Sequence, residues 1–171
     1  MEVVIREEAP NDADPINSLN AAAFETDAEA RLVVALRAHG RLTLSLVAVE
    51  DSLVVGHVAF SPVTVSRPDG SVLAGIGLGP MAVAPSLQGH GIGTRLARIG
   101  LERLRAAGHP FCVVLGHPNF YPRFGFKRAS GYGIRWERDV PEEVFFALEL
   151  APGTLEDVSG VVRYSPEFAI V

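Results

Sequence analysis

The 171 residues carry 15 Lys and Arg against 20 Asp and Glu, a formal net charge of -5 at pH 7, which excludes the basic footprint of a nucleic-acid-binding domain. With 48% hydrophobic and 20% charged residues, the chain is neither disordered nor fibrous, and its length suffices for one core without disulfides or a metal. Its single cysteine, Cys112, rules out an internal disulfide and suits a reducing compartment.

Val3 to Ile5 reads as a first strand. The opening Met1 to Glu8 has neither the basic start nor the apolar run of a secretory signal, and no stretch suits a bilayer span, so cytoplasmic residence and no membrane partner are expected. Asp14-Pro15 supplies an N-cap followed by the proline that helices accept at their first position. Ile16, Leu19 and Ala23 share one face of the helix that follows, and Thr26-Asp27-Ala28-Glu29 reads as a capping box opening a second helix through Leu36. Gly40 ends it. Leu42 to Val49 and Leu53 to Val65, parted by Glu50-Asp51-Ser52, are predicted antiparallel strands, and a third, about Leu73 to Val83, completes a meander.

Ile92, Leu96, Gly100 and Leu104 recur at helical spacing, with Gly108 as the stop. Phe111 to Leu115 is wholly apolar, as for a strand covered on both faces. Strand, helix and strand in this order make a βαβ unit. A helical turn near Asn119 to Phe124, strands near Tyr132 to Trp136 and Val144 to Leu150, and a further edge strand at Val161 to Tyr164 follow. The chain reads as one domain, 1–171, in which 151–171 is a C-terminal extension.

The chemistry concentrates in Met81-Ala82-Val83 and the loop Gln88-Gly89-His90-Gly91-Ile92-Gly93-Thr94, between the end of a strand and the start of a helix. A helix N-terminus presents unpaired N–H groups and about half a positive charge, which favours a phosphate or pyrophosphate. Glycines let backbone N–H groups approach one closely; taken alone they are equally compatible with a tight turn. Gly89 to Thr94 has Thr where a dinucleotide fingerprint needs its last glycine, and no Lys-Ser/Thr pair completes a nucleotide-triphosphate loop.

The segment Gln88 to Gly93 has the form Gln/Arg-x-x-Gly-x-Gly/Ala, and in this setting it resembles the acyl-CoA loop of the GNAT superfamily of N-acetyltransferases. Tyr121-Pro122-Arg123-Phe124-Gly125-Phe126 resembles the family's Tyr-x-x-x-Gly-Phe segment, and the order of elements from Val3 to Leu150 matches as well. The resemblance implies an α+β fold: a central mixed, mostly antiparallel sheet flanked by helices and splayed where the Met81 strand and the Phe111 strand part. It implies acetyl-CoA as co-substrate and an unidentified primary amine as acceptor. The backbones of Met81, Ala82 and Val83 would bind the pantetheine arm and thioester region, and Gln88, Gly89, His90, Gly91, Ile92, Gly93 and Thr94 the pyrophosphate. Tyr121 falls where many members hold a tyrosine suited to protonating the departing thiolate. The family's cofactor-contacting Asn is replaced by Val114 at the equivalent position, with Asn119 and His117 as substitutes.

Glu25 and Glu29, at the junction of the first two helices, resemble the acceptor wall and could bind or deprotonate an amine. A solvated acidic face, with Glu29 closing the capping box, is the plainer reading. His57 and His90 have no partners at metal-ligand spacing, so no metal is expected. The expected reaction is direct transfer of the acetyl group to the amine; the rival is a non-catalytic acyl-CoA-binding sensor that keeps the loop and dispenses with Tyr121. The sequence sets neither acceptor identity nor oligomeric state.

Overall fold

The computed structural model describes residues 2–171. The chain forms two compact units, each discontinuous in sequence: one holds the chain up to Ser61 with Gly79–Gly100 and Pro166–Val171, the other Pro62–Leu78 with Leu101–Ser165.

In the first unit, β1 (Val4–Glu7) pairs antiparallel with β2 (Leu44–Glu50), and β2 pairs antiparallel with the opening stretch of β3 (Leu53–Ser66). The β2–β3 turn places Asp51 and Ser52 at φ 47° and 66°, the left-handed conformation that matches the twist of a hairpin. Two helices, α1 (Ala13–Ala23) and α2 (Ala28–Ala38), pack Ile16 and Val33 against Val47 of β2. The next residue, Ala48, pairs with Gly56, where an added Cβ would lie 3.0 Å from Ile92 and Leu96 at the start of α3 (Ile92–Ala106). Because side chains alternate along a strand, α1 and α2 cover one face of these strands and α3 the other.

Two helix starts differ from the sequence reading. The helix α1 begins at Ala13 with Asp12 as its N-cap residue, instead of at Pro15 with Asp14 as the cap; the Asp12 carboxylate accepts from Arg6 and from the Ala9 N–H, so a preceding 3-10 turn (Pro10–Asp12) leads into the helix. The capping box at Thr26 to Glu29 does not form. The N-cap of α2 is Asp27, without a side-chain capping bond, because its carboxylate is drawn to Arg31, one turn on, at 3.2 Å, while Thr26 Oγ1 accepts from Ala28 N–H.

In the second unit, the first part of β4 (Val72–Val83) pairs in parallel with β5 (Phe111–Leu115), the pairing expected of a βαβ unit. β6 (Lys127–Arg128), a strand not foreseen, pairs antiparallel with β8 (Phe145–Glu149), which in turn pairs antiparallel with β5. The late strand β9 (Gly160–Tyr164) is not an edge: it pairs antiparallel with β3 at Val63 to Ser66 and in parallel with β7 (Ile134–Trp136). Val63, Phe111, Val113, Ile134, Phe145 and Val162 contribute to the buried core of this unit. The strands thus make a mixed, mostly antiparallel sheet. The β4–β5 register ends at Leu78↔Val114, whereas β4 continues to Val83. Among the described residues no helix is long and apolar enough to cross a membrane.

Candidate active site

The loop between β4 and α3 is built from its own side chains. After a 3-10 turn (Pro85–Leu87), the Gln88 amide donates to the carbonyl of Val83 at 3.2 Å, tying the loop to the strand end. His90 Nδ1 lies 3.1 Å from the carbonyls of Leu87 and Gln88; both are acceptors, so Nδ1 carries the proton. Gly89 and Gly91 both sit at φ 81°, a region closed to ordinary side chains at modest cost, and an added Cβ at either would meet nothing within 4 Å. Their glycines therefore serve the backbone path and leave open space above it. The Gly91 carbonyl accepts from Arg95 N–H at 3.1 Å, so the N–H groups of the first helical turn, Ile92 to Thr94, precede the helix's own bonding. Gln88 to Gly91 are exposed, Ile92 is buried and anchors the turn, and Gly93 and Thr94 are half-buried. Of the preceding strand residues, Ala82 is buried and Met81 and Val83 are half-buried. The arrangement is a glycine loop, open to solvent along its backbone, joined to a strand end.

Tyr121 begins the 3-10 helix Tyr121–Phe124, with Phe120 before it. Gly125 closes the turn at φ 96°, which returns the chain so that Phe126, itself buried, packs edge-on to the Tyr121 ring at 5.8 Å. This is the physical content of the Tyr-x-x-x-Gly-Phe pattern. Phe120, capped by the Arg123 guanidinium at 4.6 Å, stands edge-on to Tyr121 at 5.0 Å, and Phe146 lies at 6.5 Å. Burial, with a smaller contribution from Cys112, pushes the Tyr121 phenol up to about 12, so it holds its proton at neutral pH. Cys112 is fully buried, and burial drives its thiol far above the usual range.

Val114, at the family's Asn position, is buried in β5. The Asn119 backbone N–H donates to His117 Nδ1 at 3.1 Å. Glu25 is exposed. Glu29 is half-buried, and its Oε2 is enclosed without a hydrogen-bond partner. Among the described residues no group of three or more His, Cys, Asp and Glu could hold a metal. Sequence reading passed over two features: a buried chain of polar groups through His57, Ser45 and Glu8, and Gly116, which lies against Tyr121. The first joins elements distant in sequence, and the second depends on how the five residues after Gly116 bring the Tyr121 ring back; neither leaves a spacing signal.

A family model described as an acetyltransferase (GNAT) domain matches residues 4–129. The chain is 41% identical over 167 residues to the Escherichia coli K12 protein named uncharacterized N-acetyltransferase YhbS, covering 97% of this chain and 98% of the relative. It is 40% identical to YjhQ of the same strain over 78% of this chain and 75% of that one. The crystal structure of E. coli YhbS in complex with CoA superposes with a TM-score of 0.93 at 40% identity, covering 99% of this chain and 93% of that one. A GNAT family acetyltransferase from Brucella melitensis, solved with acetyl-CoA, gives 0.81 at 41% identity, with 98% of both chains covered. A match over most of the sequence, a shared fold and the glycine loop at the head of α3 agree: this chain belongs to the GNAT family of acetyltransferases.

Proposed function

We propose that the chain transfers an acetyl group from acetyl-CoA to a primary amine by direct attack, as a single catalytic domain spanning 1–171. The observation that carries this reading is the loop Gln88 to Thr94, where two left-handed glycines lead into the first turn of α3. That geometry suits a pyrophosphate held by backbone N–H groups and the helix dipole, and relatives at 40–41% identity are solved with CoA and with acetyl-CoA. Met81, Ala82 and Val83 offer strand N–H and carbonyl groups to the pantetheine arm and to the oxyanion.

The neutral amine nitrogen attacks the thioester carbonyl carbon, the C–N bond forms and the C–S bond breaks. The nitrogen loses a proton and the sulfur ends with one. Tyr121 serves the sulfur. Its phenol, at about 12, is a weaker acid than an ordinary thiol near 8.5, so it stabilises the departing thiolate chiefly by donating a hydrogen bond, while the proton that the nitrogen loses once the C–N bond has formed balances the one the sulfur gains. Glu29, with one enclosed and unpartnered carboxylate oxygen at the α1–α2 junction, and Glu25 beside it are the acceptor-side carboxylates. A buried phenol kept protonated favours the enzyme over a sensor that only binds acetyl-CoA.

The test is incubation of the protein with acetyl-CoA and a broad panel of primary amines. Thiol release above the protein-free rate for at least one amine, rising with pH as that amine loses its proton, supports the enzyme. Binding of acetyl-CoA with background thiol release throughout the panel, protein lysines and peptide N-termini included, turns the reading to a sensor.

A further inference from the structure

We propose that Gly116 is a positioning residue for Tyr121: its bare α-carbon is the wall against which the phenol ring rests, and any side chain at 116 would displace the hydroxyl. The proposal rests on the reading of Tyr121 as the group that serves the departing sulfur.

Gly116 follows β5 directly, and its N–H donates to the Val144 carbonyl at 2.8 Å, which fixes the backbone at this point. An ideal Cβ built there would overlap Tyr121 Cε2 and would lie 2.9 Å from Cδ2 and 3.2 Å from Cζ. These three atoms form one edge of the ring and include the carbon that bears the hydroxyl. The ring's other neighbours are aromatic rings. Phe120 at 5.0 Å and Phe126 at 5.8 Å stand edge-on to it, and Phe146 lies tilted at 6.5 Å; Phe126 and Phe146 are each only 3% exposed. The slot therefore has three aromatic walls and one of backbone, and the fourth exists only because residue 116 lacks a side chain.

Gly116 is not among the glycines at positive φ, so alanine is acceptable to the backbone there. The effect of Gly116→Ala is thus steric and falls on the ring. A ring hinged at its own Cα carries its hydroxyl furthest when it tilts, and a displacement of about 1 Å at a reacting group is enough to cost ~10²-fold in rate.

Four proteins test this: wild type, Gly116→Ala, Tyr121→Phe and the double variant, assayed with acetyl-CoA and the amine that wild type acetylates fastest, with cofactor affinity measured by calorimetry. The expected result is a kcat for Gly116→Ala lowered ~10²-fold, close to that of Tyr121→Phe, an acetyl-CoA Kd within about twofold of wild type, and no further loss in the double variant. Full activity in Gly116→Ala, or a loss that multiplies with that of Tyr121→Phe, overturns the proposal. Thermal unfolding supplies an arm independent of catalysis: the Tm deficit of Gly116→Ala should vanish in a Tyr121→Ala background, where the ring is gone. Persistence of that deficit, or failure of Gly116→Ala to fold in both backgrounds, also overturns it, since the obstacle would then not be the ring. If Tyr121→Phe alone keeps full activity, the reading of Tyr121 fails, while the Tm coupling still reports whether Gly116 seats the ring.

Discussion

Ser45 Oγ lies 2.9 Å from His57 Nε2 at the centre of a buried chain of polar groups. On the other side of the ring, the Asn20 amide nitrogen reaches His57 Nδ1 at 3.4 Å while donating to the Ile16 carbonyl at 3.1 Å. The pattern assigns Nδ1 as acceptor and Nε2–H as donor to Ser45. The Ser45 hydroxyl in turn donates to Glu8, which Arg37 holds with bonds of 2.9 and 3.1 Å. A second proton on His57 would face the Asn20 amide donor, and the residue is 0% exposed.

Burial, opposed by Glu8 and aided by Arg37, pushes His57 down to about 4. Because this lies below the ordinary 6.5, the unfolded chain takes the proton first. The contribution of His57 to stability is complete above pH 6.5 and is lost as pH falls towards 4, by about 3 kcal/mol at most. Denaturant midpoints measured from pH 7 to pH 4 should therefore fall steeply for wild type and more shallowly for His57→Gln. Equal slopes would show that the histidine does not titrate in this window.

The loop glycines carry two separable costs. Gly91→Ala places a side chain at φ 81°, with a strain of about 1–2 kcal/mol, and sets a methyl in the open space over the loop. Lower thermal stability and weaker acetyl-CoA binding are both expected. Calorimetry on the folded variant, with Gly131→Ala, an exposed glycine outside the left-handed range and also without neighbours, as control, checks the second; unchanged affinity would remove the loop from the binding site.

Tyr121→Phe keeps the ring in its aromatic slot and removes the donor. We expect kcat to fall ~10²-fold with acetyl-CoA affinity unchanged. Steady-state rates together with calorimetry separate the two quantities. A variant with wild-type kcat would make Tyr121 a packing residue only.

Gly100, in α3, admits Phe60. An added Cβ there would overlap the Phe60 ring at Cε2, and Phe60 is fully buried. Overpacking of this kind costs about 1–3 kcal/mol. Gly100→Ala is expected to lower stability by that amount in chemical denaturation, despite alanine's higher helix propensity, and Phe60→Leu should relieve part of the loss.

What the sequence made legible is what local pattern encodes. The apolar run Phe111 to Leu115 became β5 with the same limits, and the spacing of Ile92, Leu96 and Leu104 became α3, because burial on one or both faces acts on neighbours a few residues apart. The capping box failed for the opposite reason: Thr26 Oγ1 accepts from the Ala28 N–H, two residues on, in place of the Glu29 N–H that the box requires, and two local bonding patterns of similar strength leave the choice to packing. The His57 chain draws on α1, β2, β3 and the residue after β1, so no spacing announces it. Gly116 was silent because its meaning is the ring it touches, and that contact exists only once the segment after β5 has folded the Tyr121 ring onto it.

The position of β9 between β3 and β7 also sets an order of events on the ribosome. The β3 edge at Val63 to Ser66 and the whole of β7 are synthesised well before Gly160 to Tyr164, the strand that joins them. Until that segment emerges, two unpaired strand edges stay open to neighbouring chains. A pause in translation late in the message, or removal of the segment, would therefore show itself first as aggregation of the nascent product.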